Sequence, residues 1–144
     1  MKNGLHVDSN KTKIWYLNDK IHRVDGPAIE WANGESCWYF NNLKHRVDGP
    51  AYQYMNGSLQ WFLFGKLHRI DGPAFQRSNG EQFWYLHGKM HRDDGPAFVG
   101  TDGIKRWFLD DIEYLEQEFN SIQLAKDLDS KLKLKNISNK SKKI

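Results

Sequence analysis

The sequence predicts a mainly β protein: a single-layer, solenoid-like array of antiparallel β-hairpins with a C-terminal capping α-helix. Three observations lead there. The heptapeptide His22-Arg23-Val24-Asp25-Gly26-Pro27-Ala28 returns at positions 45, 68 and 91, always 23 residues on, and a fixed period of about 20–50 residues marks a repeat array. Asn33-Gly34, Asn56-Gly57, Asn79-Gly80 and Asp102-Gly103 keep the same spacing; such dipeptides suit two-residue type I′ turns, whose central positions both take positive φ. Beyond residue 110 the repeat gives way to apolar residues at helical spacing.

Residues 1–110 form the array, in units that start near Trp15, Trp38, Trp61 and Trp84, with partial units at both ends. Residues 5–14 read as a weaker leading hairpin arm. Trp15, Trp38, Trp61, Trp84 and Trp107 share one column, the structural core of the repeat, and Tyr16, Tyr39, Phe62, Tyr85 and Phe108 fill the next. Counting outward from a two-residue turn at Asn33-Gly34 sets Ile29 opposite Trp38 and Ala28 opposite Tyr39. The same register sets Tyr52, Phe75 and Phe98 against Trp61, Trp84 and Trp107. The other connection carries Asn18-Asp19, Asn41-Asn42, Phe64-Gly65 and His87-Gly88, again turn-forming pairs. Proline, which lacks an N–H, suits the start of the strand that follows.

At the C-terminal end the spacing predicts an amphipathic capping helix over 111–135. Asp110 or Asp111 would cap it, with Glu113 in the first turn and Leu115, Phe119, Ile122, Leu128 and Leu132 on its apolar side. Such a helix shields the last strand, whose unpaired backbone would otherwise recruit other chains. Residues 136–144, rich in Asn, Ser and Lys, read as a basic, disordered tail.

The chain's 144 residues suit one domain. Its net charge of +3 is concentrated in Lys131, Lys133, Lys135, Lys140, Lys142 and Lys143; without these six the first 130 residues carry −3. Net charge therefore gives no support to a basic, nucleic-acid-binding face on the body. Cys37 is the only cysteine, so no intrachain disulfide forms and a reducing compartment is the expectation. Residues 1–15 lack the apolar stretch of a signal peptide, and the longest purely apolar run is Trp61-Phe62-Leu63-Phe64. The expectation is a cytoplasmic protein that does not span a membrane.

Two sets of residues stand out as candidate sites. The first is the ladder of His22, Arg23, His45, Arg46, His68, Arg69, His91 and Arg92. Two strands per unit separate equivalent residues by roughly 10 Å, too far for a shared metal ion or a carboxylate dyad. One reading of the ladder is structural: Arg pairs with Asp of its own loop or the next, and His bonds loop carbonyls. The other is a row of cationic loops gripping phosphates, with aromatic neighbours to stack bases. The second set is a column that differs between units, Trp31, Tyr54, Arg77 and Gly100. The scaffold does not dictate it, and Trp, Tyr and Arg are enriched at binding hot spots, so Trp31, Tyr54 and Arg77 are the candidate partner anchors. Cys37 shares a column with Gln60, Phe83 and Arg106 and reads as a filler. No triad, P-loop or CxxC pair is present, so no catalytic residue, metal or cofactor is expected.

The unit resembles the MORN repeat, a hairpin of about 23 residues. The likeness rests on the Asn/Asp-Gly turn, the aromatics of the second strand, and Gly65-Lys66-Leu67-His68 and Gly88-Lys89-Met90-His91, and it covers roughly residues 5–110. His-Arg-x-Asp-Gly-Pro-Ala replaces the familiar His-Gly-x-Gly, as in the variant MORN-like repeats of bacterial, phage and giant-virus proteins. The resemblance implies an elongated curved sheet used for protein or lipid contacts, without catalysis. The expected function is a non-enzymatic binding or scaffold module that engages a protein partner along its sheet. One alternative is capture of an anionic small molecule, such as a nucleotide signal, by the His/Arg loops. Another is contact of the lysine tail with nucleic acid or an anionic membrane.

Overall fold

The computed structural model describes residues 1–141. Among these residues it is mainly β, with one C-terminal helix and no closed barrel. Each central repeat builds two antiparallel hairpins. The first belongs to a 12-stranded sheet that runs the length of the molecule. In the second repeat this hairpin comprises Ile29–Glu30 and Ser36–Cys37, and Ser36–Cys37 in turn pairs with Tyr52–Gln53 of the next. The second hairpin, such as Tyr39–Phe40 with Leu43–Lys44, stands in a separate row. Pairs of backbone bonds lace that row together, for example Arg46 N–H to the Phe62 carbonyl (3.1 Å) with Gly65 N–H to the Lys44 carbonyl (2.8 Å).

Tryptophan is the joint between the rows. Trp38 N–H donates to the Ala51 carbonyl in the long sheet (2.7 Å), while its own carbonyl accepts from His45 of the second hairpin (3.1 Å). Strand pairing breaks at Trp38, Trp61 and Trp84, whereas the terminal strands Lys13–Leu17 and Lys105–Leu109 run straight through.

The register differs by one residue from the one the dipeptides predict. Ile29 lies opposite Cys37, not Trp38, and Tyr52, Phe75 and Phe98 lie opposite Gln60, Phe83 and Arg106. The cause is the turn. Trp31 N–H donates to the Glu35 carbonyl and Gly34 N–H to the Trp31 carbonyl (both 3.0 Å), and of the loop residues only Gly34 has positive φ (92°). This is a three-residue loop, a type I turn closed by a bulged glycine. The Asn33 side chain accepts the Glu35 N–H (3.0 Å), a bond that holds Asn33 at negative φ. The type I′ turns sit in the other connection, where both residues of Asn18-Asp19, Asn41-Asn42, Phe64-Gly65, His87-Gly88 and Asp110-Asp111 have positive φ.

A shift of one residue turns every indole to the opposite face. Continued by one position, the register places Ala51 between Trp38 and Trp61, so the row reads Trp15, Ala28, Trp38, Ala51, Trp61, Ala74, Trp84, Ala97, Trp107. The four alanines are fully buried. The core is therefore a strip of rings with a methyl group between each pair, and a larger residue has no space there. On the other face Phe75 stacks on Phe83 (5.4 Å) and Phe83 meets Phe98 (4.9 Å).

The C-terminal end corrects four further expectations. Asp110-Asp111 is a hairpin turn rather than a helix cap, and Ile112–Tyr114 is a last strand paired with Lys105–Leu109. The helix spans Glu116–Ser141, starting five residues later than the apolar spacing predicts. The Glu118 carboxylate accepts the Leu115 N–H at its start (3.0 Å), one half of a capping box. Only Phe119 is buried; Leu124, Leu128, Leu132, Leu134 and Ile137 are 53–67% exposed. The helix thus packs on the last hairpin through its first turns alone and is not amphipathic along its length. Of the tail expected to be disordered, residues 136–141 are helical, and 142–144 lie outside the described residues. No helix among the described residues is long and apolar enough to cross a membrane.

Candidate binding groove

The heptapeptide closes one connection of each repeat, and its parts lock onto the tryptophan joint. The guanidinium of Arg46 lies 4.2 Å from the centre of the Trp38 ring; Arg23, Arg69 and Arg92 repeat the stack at 4.1–4.2 Å on Trp15, Trp61 and Trp84. Arg46 Nε donates to Asp48 (2.9 Å) and Nη1 to the Pro50 carbonyl (3.3 Å). Gly49 completes the cage, because a Cβ there would stand 2.9 Å from Arg46 Cζ. Each arginine is thus held on three sides by its own repeat. The hydrogen bond and charge of the guanidinium hold Asp25, Asp48 and Asp71 below the usual carboxylate range.

Histidine ties each repeat to the next, and it does so as an acceptor of backbone N–H rather than by bonding loop carbonyls. Nδ1 of His45 and His68 accepts the backbone N–H of Phe64 and His87 at 3.1 and 3.0 Å; Nδ1 of His22 and His91 lies 3.2 Å from the backbone N–H of Asn41 and Asp110 and also 2.9 and 3.1 Å from their side-chain Oδ1. Each acceptor bond fixes the first, positive-φ residue of the following type I′ turn. His45 also stacks on Phe64 (4.0 Å), and His68 meets His87 at a tilt (4.3 Å). Burial lowers the pKa of both, helped in His68 by the nearby His87. Asn3 plays the same part for the short first repeat, accepting Asn18 N–H at 2.7 Å.

One residue of the heptapeptide takes no part in this lock. Val24, Val47 and Ile70, between Arg and Asp, are 72%, 83% and 86% exposed. They edge three consecutive clefts of about 520, 460 and 730 Å³, each formed between the loops of neighbouring repeats. Trp38 with Phe40, Trp61 with Leu63 and Trp84 with Leu86 line them in turn. The clefts follow one another as a groove along the array. Its rim carries Asp25, Asp48, Asp71 and Asp94, whose side chains are 78–84% exposed, while the paired arginines beneath are only 23–26% exposed.

The structure places the predicted site residues in two groups. The eight His and Arg residues line or underpin the groove, with their strongest donors and acceptors turned toward the scaffold. Trp31, Tyr54 and Arg77 lie on the other face of the long sheet. Trp31 and Tyr54 both meet Tyr52 (5.6 and 4.1 Å), and Tyr54 and Arg77 flank a shallow cleft of about 320 Å³. Arg77 is paired with Glu81 (2.7 Å) and lies over Phe75 and Phe83. The aliphatic ridge was the residue set the motif reading passed over; the signal was three β-branched residues inside an otherwise polar loop. Burial pushes the Cys37 thiol up to about 12, so it is protonated and inert at neutral pH.

No protein-family model matches the chain, and no curated protein matches it.

Proposed function

We propose that the chain is a non-catalytic repeat module, of the MORN-like kind its units resemble, that binds a protein partner along the loop-lined groove. The observation that carries this reading is the use the molecule itself makes of the ridge position. In the fourth repeat that position is Asp93, and it is there that the C-terminal helix touches the loops: Lys126 Nζ lies 3.2 Å from Asp93. At that end of the array the ridge residue is the one in its loop that meets the helix, through a half-exposed ion pair. In the other three repeats it is an exposed aliphatic beside apolar cleft walls, Trp38 with Phe40, Trp61 with Leu63 and Trp84 with Leu86, and joined apolar surface of that kind marks interaction sites.

The anion-capture alternative draws less support, because each guanidinium already serves an aspartate, a carbonyl and an indole. The test is a triple variant, Val24→Ser with Val47→Ser and Ile70→Ser. Affinity capture should lose the proteins retained by the parent chain while the thermal melt stays put. Equal capture by parent and variant would remove the groove from consideration. Binding of a nucleotide, abolished by Arg46→Ala with Arg69→Ala at an unchanged melt, would favour the alternative instead.

A further inference from the structure

We propose that the groove takes a cationic peptide segment in polyproline II conformation, seated at one turn per repeat. This deepens the groove reading above and rests on it.

Spacing comes first. Each repeat adds two strands to the long sheet, so equivalent loops recur about every 9.6 Å at a strand separation near 4.8 Å. A polyproline II helix advances about 9.3 Å per turn of three residues, and it stays within roughly 1 Å of register across the four loops. Three residues of a β-strand cover a similar length, but the strand alternates faces, so every second repeat would meet the wrong side. Seven residues of an α-helix cover about 10.5 Å and fall roughly 3 Å out of step by the fourth loop. Of the regular conformations, only the three-fold one presents the same side chain to every repeat.

Chemistry points the same way. Polyproline II segments dock on aromatic-lined grooves and leave their carbonyls unpaired. The clefts offer indole edges and the exposed ridge of Val24, Val47 and Ile70. His45 and His68 accept a backbone N–H at Nδ1, which leaves the proton on Nε2 as a donor for a ligand carbonyl in each of the two central loops. The rim presents one carboxylate per repeat, outermost of each ion pair. A positive side chain at every third ligand residue complements that row.

The test is calorimetric titration of the full chain with four synthetic peptides at modest ionic strength. The first is a twelve-residue (Pro-Pro-Arg) repeat. The second has the same composition in two blocks, the third has Glu for Arg, and the fourth is helical with Arg every seventh residue. The expected result is binding of the first at least tenfold tighter than any other. Asp48→Asn with Asp71→Asn should weaken it about tenfold while keeping the melt, since asparagine still accepts from the arginine Nε. Equal binding of the block peptide, tighter binding of the helical or acidic one, no binding at all, or indifference to the Asp→Asn pair would each overturn the proposal. The serine triple variant separates this failure from that of the groove: if the peptides fail and the variant still loses its captured protein, the groove stands and its ligand is not polyproline II.

Discussion

Ile70 and Asp93 hold the same place in consecutive repeats, and the loops around them are built alike. Arg69 and Arg92 reach Asp71 and Asp94 at 2.9 and 2.6 Å, and Nδ1 of His68 and His91 accepts the next turn's N–H at 3.0 and 3.2 Å. Yet Ile70 projects to solvent, while Asp93 is bonded to Lys126 and to Nε2 of His91 (both 3.2 Å). The Arg–Asp pair and the backbone do not register the exchange of an aliphatic for a carboxylate; the histidine does, through Nε2. The heptapeptide therefore divides into six residues that build the repeat, among them an Asp and a His whose outer atoms still face the groove, and one that the repeat does not need.

The sharpest way to break that division is to show that a building residue is dispensable. Ala51→Leu forces a branched side chain between Trp38 and Trp61 at a fully buried site and should destabilise the fold by about 3 kcal/mol, at the upper end of what overpacking costs. Chemical denaturation measures this; an unchanged midpoint would mean that the alternating row of rings and methyls is not the core. Arg69→Ala comes next. It removes the stack on Trp61 and leaves the part-buried Pro73 carbonyl without its donor, a loss of about 2 kcal/mol. Arg69→Lys should recover less than half, because an ammonium cannot reach carboxylate, carbonyl and ring in one plane. Ile70→Ser, one residue away, should move the midpoint by no more than about 0.5 kcal/mol.

How much of this could be read from the sequence depends on whether a residue's task is local. The 23-residue period and the hairpins follow from patterns the chain repeats in the clear; the C-terminal helix is placed by an apolar spacing whose later residues prove exposed. The register does not follow from those patterns, because Asn-Gly serves a type I′ turn and a bulged type I turn equally well, and only the bond from Glu35 N–H to the Asn33 side chain separates them. That single residue of slip hid the pairing of tryptophan with alanine and moved Trp31 and Tyr54 to the face away from the loops. Asp110-Asp111 failed for the same kind of reason: a pair of aspartates fits a helix start, but two positive φ values make it a turn. The arginine pairing was legible because Asp48 is two residues away. The histidine bond was not, because its partner lies 19 residues on in the next repeat.

Acid sharpens the comparison between bonds within a repeat and bonds between repeats. The pKa values of His45 and His68 are lowered by burial, with His87 adding to the effect at His68. Between the folded values and the unfolded one near 6.5, the unfolded chain binds more protons. Stability is therefore complete above about pH 6.5 and falls as the pH drops through the folded values. The Arg–Asp pairs stay ionised over that interval, since Asp25, Asp48 and Asp71 titrate lower still. Melts from pH 7.5 to pH 5 should decline, and His45→Gln with His68→Gln, whatever its own midpoint, should flatten the slope. A slope that survives both substitutions would assign the acid sensitivity elsewhere.

The smallest effect is the most discriminating. If Asp93 is an address rather than a support, Asp93→Ile should turn the fourth loop into a copy of the third with little loss of stability. The Lys126 contact is half exposed on both sides (53% and 61%), and such a pair contributes about 0.2–1 kcal/mol. A double-mutant cycle between Asp93→Ile and Lys126→Ala should give a coupling near 0.5 kcal/mol, with hydrogen exchange faster in the first turns of Glu116–Ser141 and unchanged at Trp84. The His91 ring offers an internal control, because its Nδ1 keeps both Asp110 contacts, the backbone N–H at 3.2 Å and Oδ1 at 3.1 Å, after Nε2 loses Asp93. A coupling of several kcal/mol, or exchange that spreads into the Trp84 joint, would show that the fourth ridge residue belongs to the scaffold. The aliphatics at positions 24, 47 and 70 would then lose the ground on which they are read as a contact surface.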